Sequence, residues 1–203
     1  LAWSAVGLAC ATVVNDPQKW QRLTDLTWAD NPDNYFEYPL GDGAFTVFRP
    51  IYDETQRVLW GIDDEASKIN LNTAPRELLL RLPRMTEEIA DAILDWRDAD
   101  STPGAAGAES AYYNGLNPPY NCKNKPFETL EELLHVRGVT PEILFGEDFN
   151  LNGTMEPNEN DGDLLWPPDT RDGRLDPGLW SLCTVWSADQ NVDAEGRARV
   201  NLN

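Results

Sequence analysis

Residues 62–98 carry the strongest periodic pattern of apolar and polar positions in the chain. Leu78, Leu79 and Leu82 share one helical face, which predicts a short helix with a buried side. A second stripe follows at i, i+3, i+4 and i+7 spacing and predicts another helix: Ile89, Ala92, Ile93 and Trp96. Two helices joined by the short break at residues 82–86 predict a helix-hairpin-helix unit.

The ends of these two helices are indicated by polar and proline residues. Asn72 or Thr73 suits the N-cap of the first helix, with Pro75 in its first turn. Thr86 suits the N-cap of the second helix. The turn between them contains Arg84, where hairpins of this kind usually place a small residue.

A second hairpin is predicted downstream by a similar order of residues. Residues 127–136 form a leucine-rich helix capped by Glu128 or Thr129, and residues 141–145 begin a further helix. Residues 137–140 form the turn between them, with a glycine at position 138. The helical part of the chain is therefore expected to hold two related hairpins.

The flanking segments show helix and strand patterns around this helical part. Residues 1–26 predict a helix that Pro17 kinks or divides. A β pattern marks four segments, predicted as strands of one antiparallel sheet packed on the first helix: residues 43–50, 57–63, 179–187 and 197–203. The phrase at residues 68–72, KINLN, returns as RVNLN at residues 199–203, which predicts a repeated entry into a helical unit.

Charge and composition exclude several classes of function. The net charge of −19, from 35 acidic and 16 basic residues, repels phosphate backbones, so we expect no nucleic-acid partner. The chain contains no phosphate loop, dinucleotide fingerprint or nucleophile elbow, and its single histidine, His135, leaves little room for histidine-based catalysis. We therefore expect a protein that is not an enzyme. Of the three cysteines, Cys122 and Cys183 either form one bridge or remain free thiols.

One acidic loop predicts a calcium site. Residues 148–159 (DFNLNGTMEPNE) fit the pattern D-x-[DN]-x-[DN]-G-x5-E, in which oxygen ligands at alternating positions converge on one hard cation. A plain solvated acidic loop is the alternative, and the residues after Pro157 do not indicate the exiting helix of a paired EF-hand. The predicted ligands are Asp148, Asn150, Asn152, Thr154 through its carbonyl, Glu156 and Glu159, with Asp161 or Asp163 as a replacement for Glu159.

A second, weaker candidate lies in the long irregular segment of residues 99–125. Loops of this length are usually functional, mobile or stapled by an ion. Its candidate ligands are Asp98, Asp100 and Glu109, with Ser110 as a further donor, although their spacing does not distinguish a metal site from an acidic surface.

Five phrases in order resemble one known family. They are YPLGDG at residues 38–43, DEASKINLNTA at 64–74, ILDWRDAD at 93–100, GAESAYY at 107–113 and PFETLEEL at 126–133. Together they resemble the minor pseudopilin K family of the bacterial type II secretion system, over about residues 20–203.

The resemblance implies an α+β fold: a pilin-like N-terminal helix on an antiparallel sheet, with a large helical insert of helix-hairpin-helix or SAM-like type. The expected divisions are residues 1–66 for the pseudopilin helix and first strands, 67–177 for the insert, and 178–203 for the returning strands. The resemblance also implies calcium in the insert. We expect that this chain lacks the N-terminal membrane segment and that further helical sequence follows its last residue.

The function that the resemblance implies is structural. A protein of this family sits at the tip of the periplasmic pseudopilus, anchored in the inner membrane, and assembles with minor pseudopilins of the I and J types. The alternatives are a DNA-binding helix-hairpin-helix module and a stand-alone calcium-binding interaction module.

Overall fold

A computed structural model describes residues 2–15, 30–52 and 57–187 of the chain. The chain divides into two compact units. Unit 1 comprises residues 1–64 and 147–176, and unit 2 comprises residues 65–146 and 177–203. The acidic segment after residue 146 therefore groups with the first strands, whereas the expected divisions placed it in the helical insert. Those expected divisions stay a prediction.

Unit 1 begins with helix α1, Ala2–Asn15, and the short helix α2, Pro32–Tyr35. Two antiparallel hairpins follow: β1, Tyr38–Leu40, pairs with β2, Gly43–Phe45, and β3, Arg49–Ile51, pairs with β4, Arg57–Leu59. The helix expected at residues 1–26 is confirmed as far as Asn15, and Pro17 lies outside the described residues. Within the described part of the chain, no helix combines the length and the hydrophobicity that crossing a bilayer requires.

The single strand expected at residues 43–50 is wrong, because two hairpins share this segment. The amide of Val47 donates to the carbonyl of Tyr35 at 2.8 Å. The hydroxyl of Thr46 accepts the amide of Glu37 at 3.1 Å. These bonds direct residues 46 and 47 toward α2 and its C-terminal end, so the strand stops at Phe45.

Unit 2 contains the helical core. Its elements are β5, Ile69–Asn70; α3, Arg76–Leu79; α4, Glu87–Arg97; α5, Ser110–Tyr113; a 3-10 helix, Leu130–His135; α6, Pro141–Phe145; α7, Leu179–Leu182; and β6, Cys183–Thr184. The predicted stripe of α4 is confirmed, since all four of its members are buried. Thr86 caps α4, as expected, by accepting the amide of Ile89 at 3.2 Å.

The expected caps at Asn72 and Thr73 are wrong, because α3 begins at Arg76 and Pro75 occupies its N-cap position. The side chain of Asn72 has another role. Its amide nitrogen donates to the carbonyl of Phe127 at 3.0 Å, and its oxygen accepts the amide of Phe127 at 2.7 Å. Asn72 therefore joins the start of the first hairpin to the start of the second, 55 residues later.

The two hairpins have matching turns. Arg84 and Gly138 occupy equivalent positions with φ of 56° and 83°. Thr86 and Thr140 then start the second helix of each hairpin with φ/ψ of −112°/165° and −115°/164°. Whether these hairpins belong to the helix-hairpin-helix class stays a prediction.

Each turn contacts the second helix of the other hairpin. The Arg84 guanidinium donates to the carbonyl of Glu142 in α6 at 3.0 Å. A Cβ placed on Gly138 would lie 2.9 Å from Cγ1 of Ile89 in α4, so the second turn packs directly against the first hairpin. The reciprocal contacts make the two hairpins one packed body.

The single antiparallel sheet is also wrong. The described strands form three two-stranded sheets, and in the third β5 and β6 run parallel, with Ile69 opposite Cys183. The segment expected as a strand at residues 179–187 starts as α7, where the fully buried Leu179 and the contact between the rings of Phe145 and Trp180, 5.7 Å apart, decide its conformation. Packing against α6 overrides the β propensity of this segment. The strand expected at residues 197–203 lies outside the described residues.

Candidate metal centres

Asp148 organises the first candidate loop through both of its carboxylate oxygens. Oδ1 accepts the amide of Asn152 at 3.0 Å, and Oδ2 accepts the amide of Gly153 at 2.7 Å. The hydroxyl of Tyr52 donates to the same Oδ2 at 2.8 Å. Asp148 is fully buried. Burial of the Tyr52 hydroxyl, together with the neighbouring Asp148 carboxylate, raises the pKa of Tyr52 far above its usual value.

Two left-handed residues give the loop its shape. Leu151 has φ of 60° and Gly153 has φ of 69°. A Cβ on Gly153 would lie 2.6 Å from Cβ of Pro50, so only glycine fits at this point of unit 1. Gly153 is the sixth residue of the loop, where the calcium pattern requires a sharp turn.

The polar side chains of the loop meet at Glu156. Its two carboxylate oxygens accept from the side-chain amides of Asn150 at 3.0 Å and Asn152 at 2.6 Å. Glu159 accepts the amide of Glu156 at 3.0 Å and is almost fully buried. Burial, with the neighbouring Glu156 carboxylate as a further cause, raises the pKa of Glu159 to about 7.

The remaining predicted donors of this loop lie at its edge. The amide of Thr154 donates to Oδ1 of Asn152 at 2.6 Å. Asp161 uses Oδ1 to accept the amide of Leu165 at 3.2 Å, and Asp163 is exposed. The structure thus groups the predicted loop residues from Asp148 to Glu159 in one hydrogen-bonded network, with Asp161 and Asp163 beside it.

The second candidate brings its three carboxylates closer together. Ligand oxygens of Asp98, Asp100 and Glu109 all lie within 4.8 Å of one another. Among the described residues, no other group of three acidic, cysteine or histidine side chains is this compact. Asp98 caps the C-terminal end of α4, and Glu109 occupies the N-cap position of α5, so two helix ends deliver these side chains.

Glu109 is an unusual carboxylate. It is 4% exposed, and neither of its oxygens accepts a hydrogen bond of normal geometry from the described residues, although the Ser110 amide and the Asn124 side chain lie near enough to oppose the rise of its pKa. The buried Oδ1 of Asn124 is likewise without a hydrogen-bond donor among those residues. Burial raises the pKa of Glu109. An orphaned buried carboxylate is costly unless a cation pairs with it.

The loop around this centre is held by carboxylates of α4. Asp95 accepts the amide of Gly104 at 3.0 Å, and a Cβ on Gly107 would lie only 1.9 Å from Oδ2 of Asp95. Asp91 accepts the amide of Ala106 at 3.1 Å and forms an ion pair with Arg76. Residues 104–107 of the long segment are therefore attached to α4.

Both donor sets fit a hard divalent cation, since they offer carboxylate and amide oxygens without sulfur or imidazole. The second centre fits more strongly, because it presents buried oxygens without hydrogen-bond donors. Ser110 contributes less than expected, since its hydroxyl accepts the amide of Cys122 at 3.0 Å.

Sequence reasoning missed Asn124 and Tyr52. Asn124 lies 15 residues after Glu109, and no spacing rule connects the two; its left-handed φ of 49° is the one local sign, visible only in the structure. Tyr52 lies 96 residues before Asp148, and no sequence pattern connects it with the loop.

His135 is placed as a structural residue. Its ring stacks on Trp96 with centroids 6.3 Å apart, and its carbonyl accepts the hydroxyl of Tyr120 at 2.9 Å. Cys10, Cys122 and Cys183 are free thiols, of which Cys10 is exposed and the other two are buried.

Residues 63–145 match the family model described as Type II secretion system (T2SS), protein K. The match makes this part of the chain similar to that family and covers less than half of the 203 residues. The matched segment contains both hairpins and every residue of the second candidate centre, whereas the loop at residues 148–159 follows it in the chain.

Two curated proteins are similar to this chain over part of its length. The type II secretion system protein K of Aeromonas hydrophila is 44% identical over 57 residues, which cover 28% of this chain and 17% of that protein. The protein K of Pectobacterium carotovorum subsp. carotovorum is 32% identical over 89 residues, which cover 41% of this chain and 27% of that protein. The matched segments thus span about a quarter or less of these relatives' lengths.

A solved structure is also similar. It is described as the GspK-GspI-GspJ complex from the type 2 secretion system of enterotoxigenic Escherichia coli. The likeness has a TM-score of 0.49 and 21% sequence identity, and it covers 68% of this chain and 51% of that chain.

Proposed function

We propose that this protein is a structural minor pseudopilin of a type II secretion system, without enzymatic activity. The observation that carries the proposal is the match of residues 63–145 to the protein K family model, since these residues coincide with the first segment of unit 2 almost residue for residue. The match covers both packed hairpins. It therefore includes the core of one folded unit and not only isolated short motifs.

The proposal includes the place and partners that the family resemblance implies. The protein sits at the tip of the periplasmic pseudopilus, is anchored in the inner membrane, and assembles with minor pseudopilins of the I and J types. Its role is to support protein export across the outer membrane, and it acts by surface contacts with other proteins.

Calcium belongs to the same proposal. At the second centre, Asp98, Asp100 and Glu109 would hold the ion, with Asn124 as a neutral oxygen donor. At the loop of unit 1, the six predicted ligands from Asp148 to Glu159 would hold another. Bound calcium supplies positive charge to buried carboxylates and orders the loops that carry them.

A secretion assay tests the proposed function. The gene for the complete protein is deleted from its host, and the amount of a secreted protein is measured in the medium and in the periplasm. We expect the secreted protein to accumulate in the periplasm, and the intact gene on a plasmid to restore export. Unchanged export in the deletion strain would refute a role in secretion.

The DNA-binding alternative rests on the presence of two hairpins with left-handed turn residues. The net charge of −19 disfavours it, because contacts to phosphates need clustered basic residues. Retention of a labelled duplex that weakens with rising salt would favour this alternative. A stand-alone calcium module would instead bind calcium without binding any minor pseudopilin.

A further inference from the structure

Three consecutive large apolar side chains of unit 1 point into solvent. Leu164, Leu165 and Trp166 are 76%, 63% and 50% exposed. Phe149 extends this surface, since its ring meets that of Trp166 edge-on at 5.7 Å. We call these four residues the LLW patch. In the described ranges, no other run of three consecutive large apolar residues has all three side chains exposed.

The patch is held by several contacts on its inner side. Pro167, directly after Trp166, is fully buried. The side-chain amide of Asn158 donates to the carbonyl of Trp166 at 2.9 Å. Oδ1 of Asp161 accepts the amide of Leu165 at 3.2 Å. The apolar side chains are therefore presented on an anchored backbone, which lowers the entropy lost when a partner binds.

The surroundings of the patch are strongly acidic. Residues 147–176 contain nine acidic residues and two arginines, a net charge of −7. Asp161 and the exposed Asp163 lie next to Leu164 along the chain. An apolar centre with a charged rim is the usual arrangement of a protein-binding surface.

The charge decides among the possible occupants. An anionic lipid surface and a nucleic acid would both be repelled by a segment of net charge −7. A second copy of this chain carries the same net charge of −19 and would also be repelled. We propose that the LLW patch docks a protein partner whose apolar contact surface is bordered by lysine and arginine side chains. This proposal stands apart from the proposed function.

A fluorescently labelled amphipathic peptide made of leucine and lysine serves as the probe, and fluorescence anisotropy measures its affinity for the 203-residue chain. The test variant is Leu164→Ser/Leu165→Ser. The control variant is Leu116→Ser/Leu134→Ser, which removes two exposed leucines from unit 2. Equal melting temperatures of the two variants and the parent chain establish that folding is retained.

We expect the test variant to bind the peptide about tenfold more weakly, while the control variant stays within about twofold of the parent. Asp163→Asn should weaken binding at low salt and have a smaller effect at high salt, because it removes a charge of the rim. A matched peptide of leucine and glutamate should not bind.

Three results would overturn the proposal. The first is equal peptide affinity for the test and control variants, which would mean attraction by overall charge only. The second is tighter binding to phosphatidylglycerol vesicles than to the peptide, with dependence on Leu164 and Leu165. The third is a dimer in analytical ultracentrifugation that the test variant abolishes.

Discussion

At the scale of single residues, the buried carboxylate of Glu109 has the strongest implications. Its oxygens are within 4.8 Å of those of Asp98 and Asp100 and lack hydrogen-bond donors among the described residues. Three carboxylates at this distance repel one another, and the repulsion is relieved when a cation binds or a proton is taken up. Glu109 should therefore favour metal binding at the expense of the stability of the metal-free protein.

Glu109→Gln separates these two effects. We expect calcium affinity at this centre to fall at least about tenfold, since one carboxylate ligand is lost. Without calcium, the free energy of unfolding should rise by about 1 kcal/mol, because a buried charge without a partner is removed. Isothermal titration and chemical denaturation measure the two quantities.

The matched control is Glu131→Gln, which removes the same charge from an exposed position in the same unit. It should leave both quantities nearly unchanged. Loss of stability on Glu109→Gln in the absence of calcium would contradict the view that this carboxylate is unsatisfied.

The thiols give a second prediction at this scale. Burial raises the pKa of Cys122 to about 11 and that of Cys183 to about 12, so both stay protonated at pH 8. Cys10 is exposed. An aromatic disulfide reagent should therefore label one thiol rapidly and the other two only on unfolding. Rapid labelling of all three in the native protein would show that the core of unit 2 opens readily.

At the scale of elements, the two hairpins depend on their left-handed turn positions. Gly138→Ala should destabilise unit 2 by about 2–3 kcal/mol, because the new methyl group meets left-handed backbone strain and overlaps Ile89. Gly162→Ala is the control, since Gly162 also has a positive φ, of 79°, but nothing lies within 4 Å of its added Cβ. It should cost only about 1 kcal/mol.

Thermal denaturation of both variants measures this difference. If the two substitutions destabilise equally, the overlap with Ile89 contributes nothing, and the packing of the second turn on α4 is looser than described.

The helices and strands also show which features of the fold could be predicted from the sequence. The stripe of α4 and its Thr86 cap could be predicted, because both depend on neighbours within one or two turns of the helix. The role of Asn72 and the helical start at Leu179 could not, because each is decided by a contact with a distant segment. The same reason applies to the candidate sites: the loop from Asp148 to Glu159 follows a local pattern, whereas the approach of Asn124 to the Glu109 region depends on the folded loop.

At the scale of the whole molecule, a net charge of −19 favours divalent cations in general, beside the two calcium sites that we propose. We expect EGTA to lower the melting temperature by several degrees, because an ion that binds only the folded state stabilises it by mass action. Hydrogen exchange should become faster at residues 98–109 and 150–163 when calcium is removed. Magnesium at equal concentration should not replace calcium, because it prefers a smaller octahedral site and retains its waters.

The control for general screening is sodium chloride at matched ionic strength. Equal melting temperatures in calcium, in EGTA and in this salt control would refute the proposal that calcium stabilises the folded protein. If calcium slows hydrogen exchange in only one of the two segments, the ion binds at that centre alone.

One measurement tests most directly the role that we propose, that of a type II secretion minor pseudopilin. The protein is immobilised and mixed with purified minor pseudopilins of the I and J types from the same secretion system, with calcium or with EGTA. We expect both partners to be retained together in calcium and less of each to be retained in EGTA. Failure to retain either partner in both conditions would contradict this role.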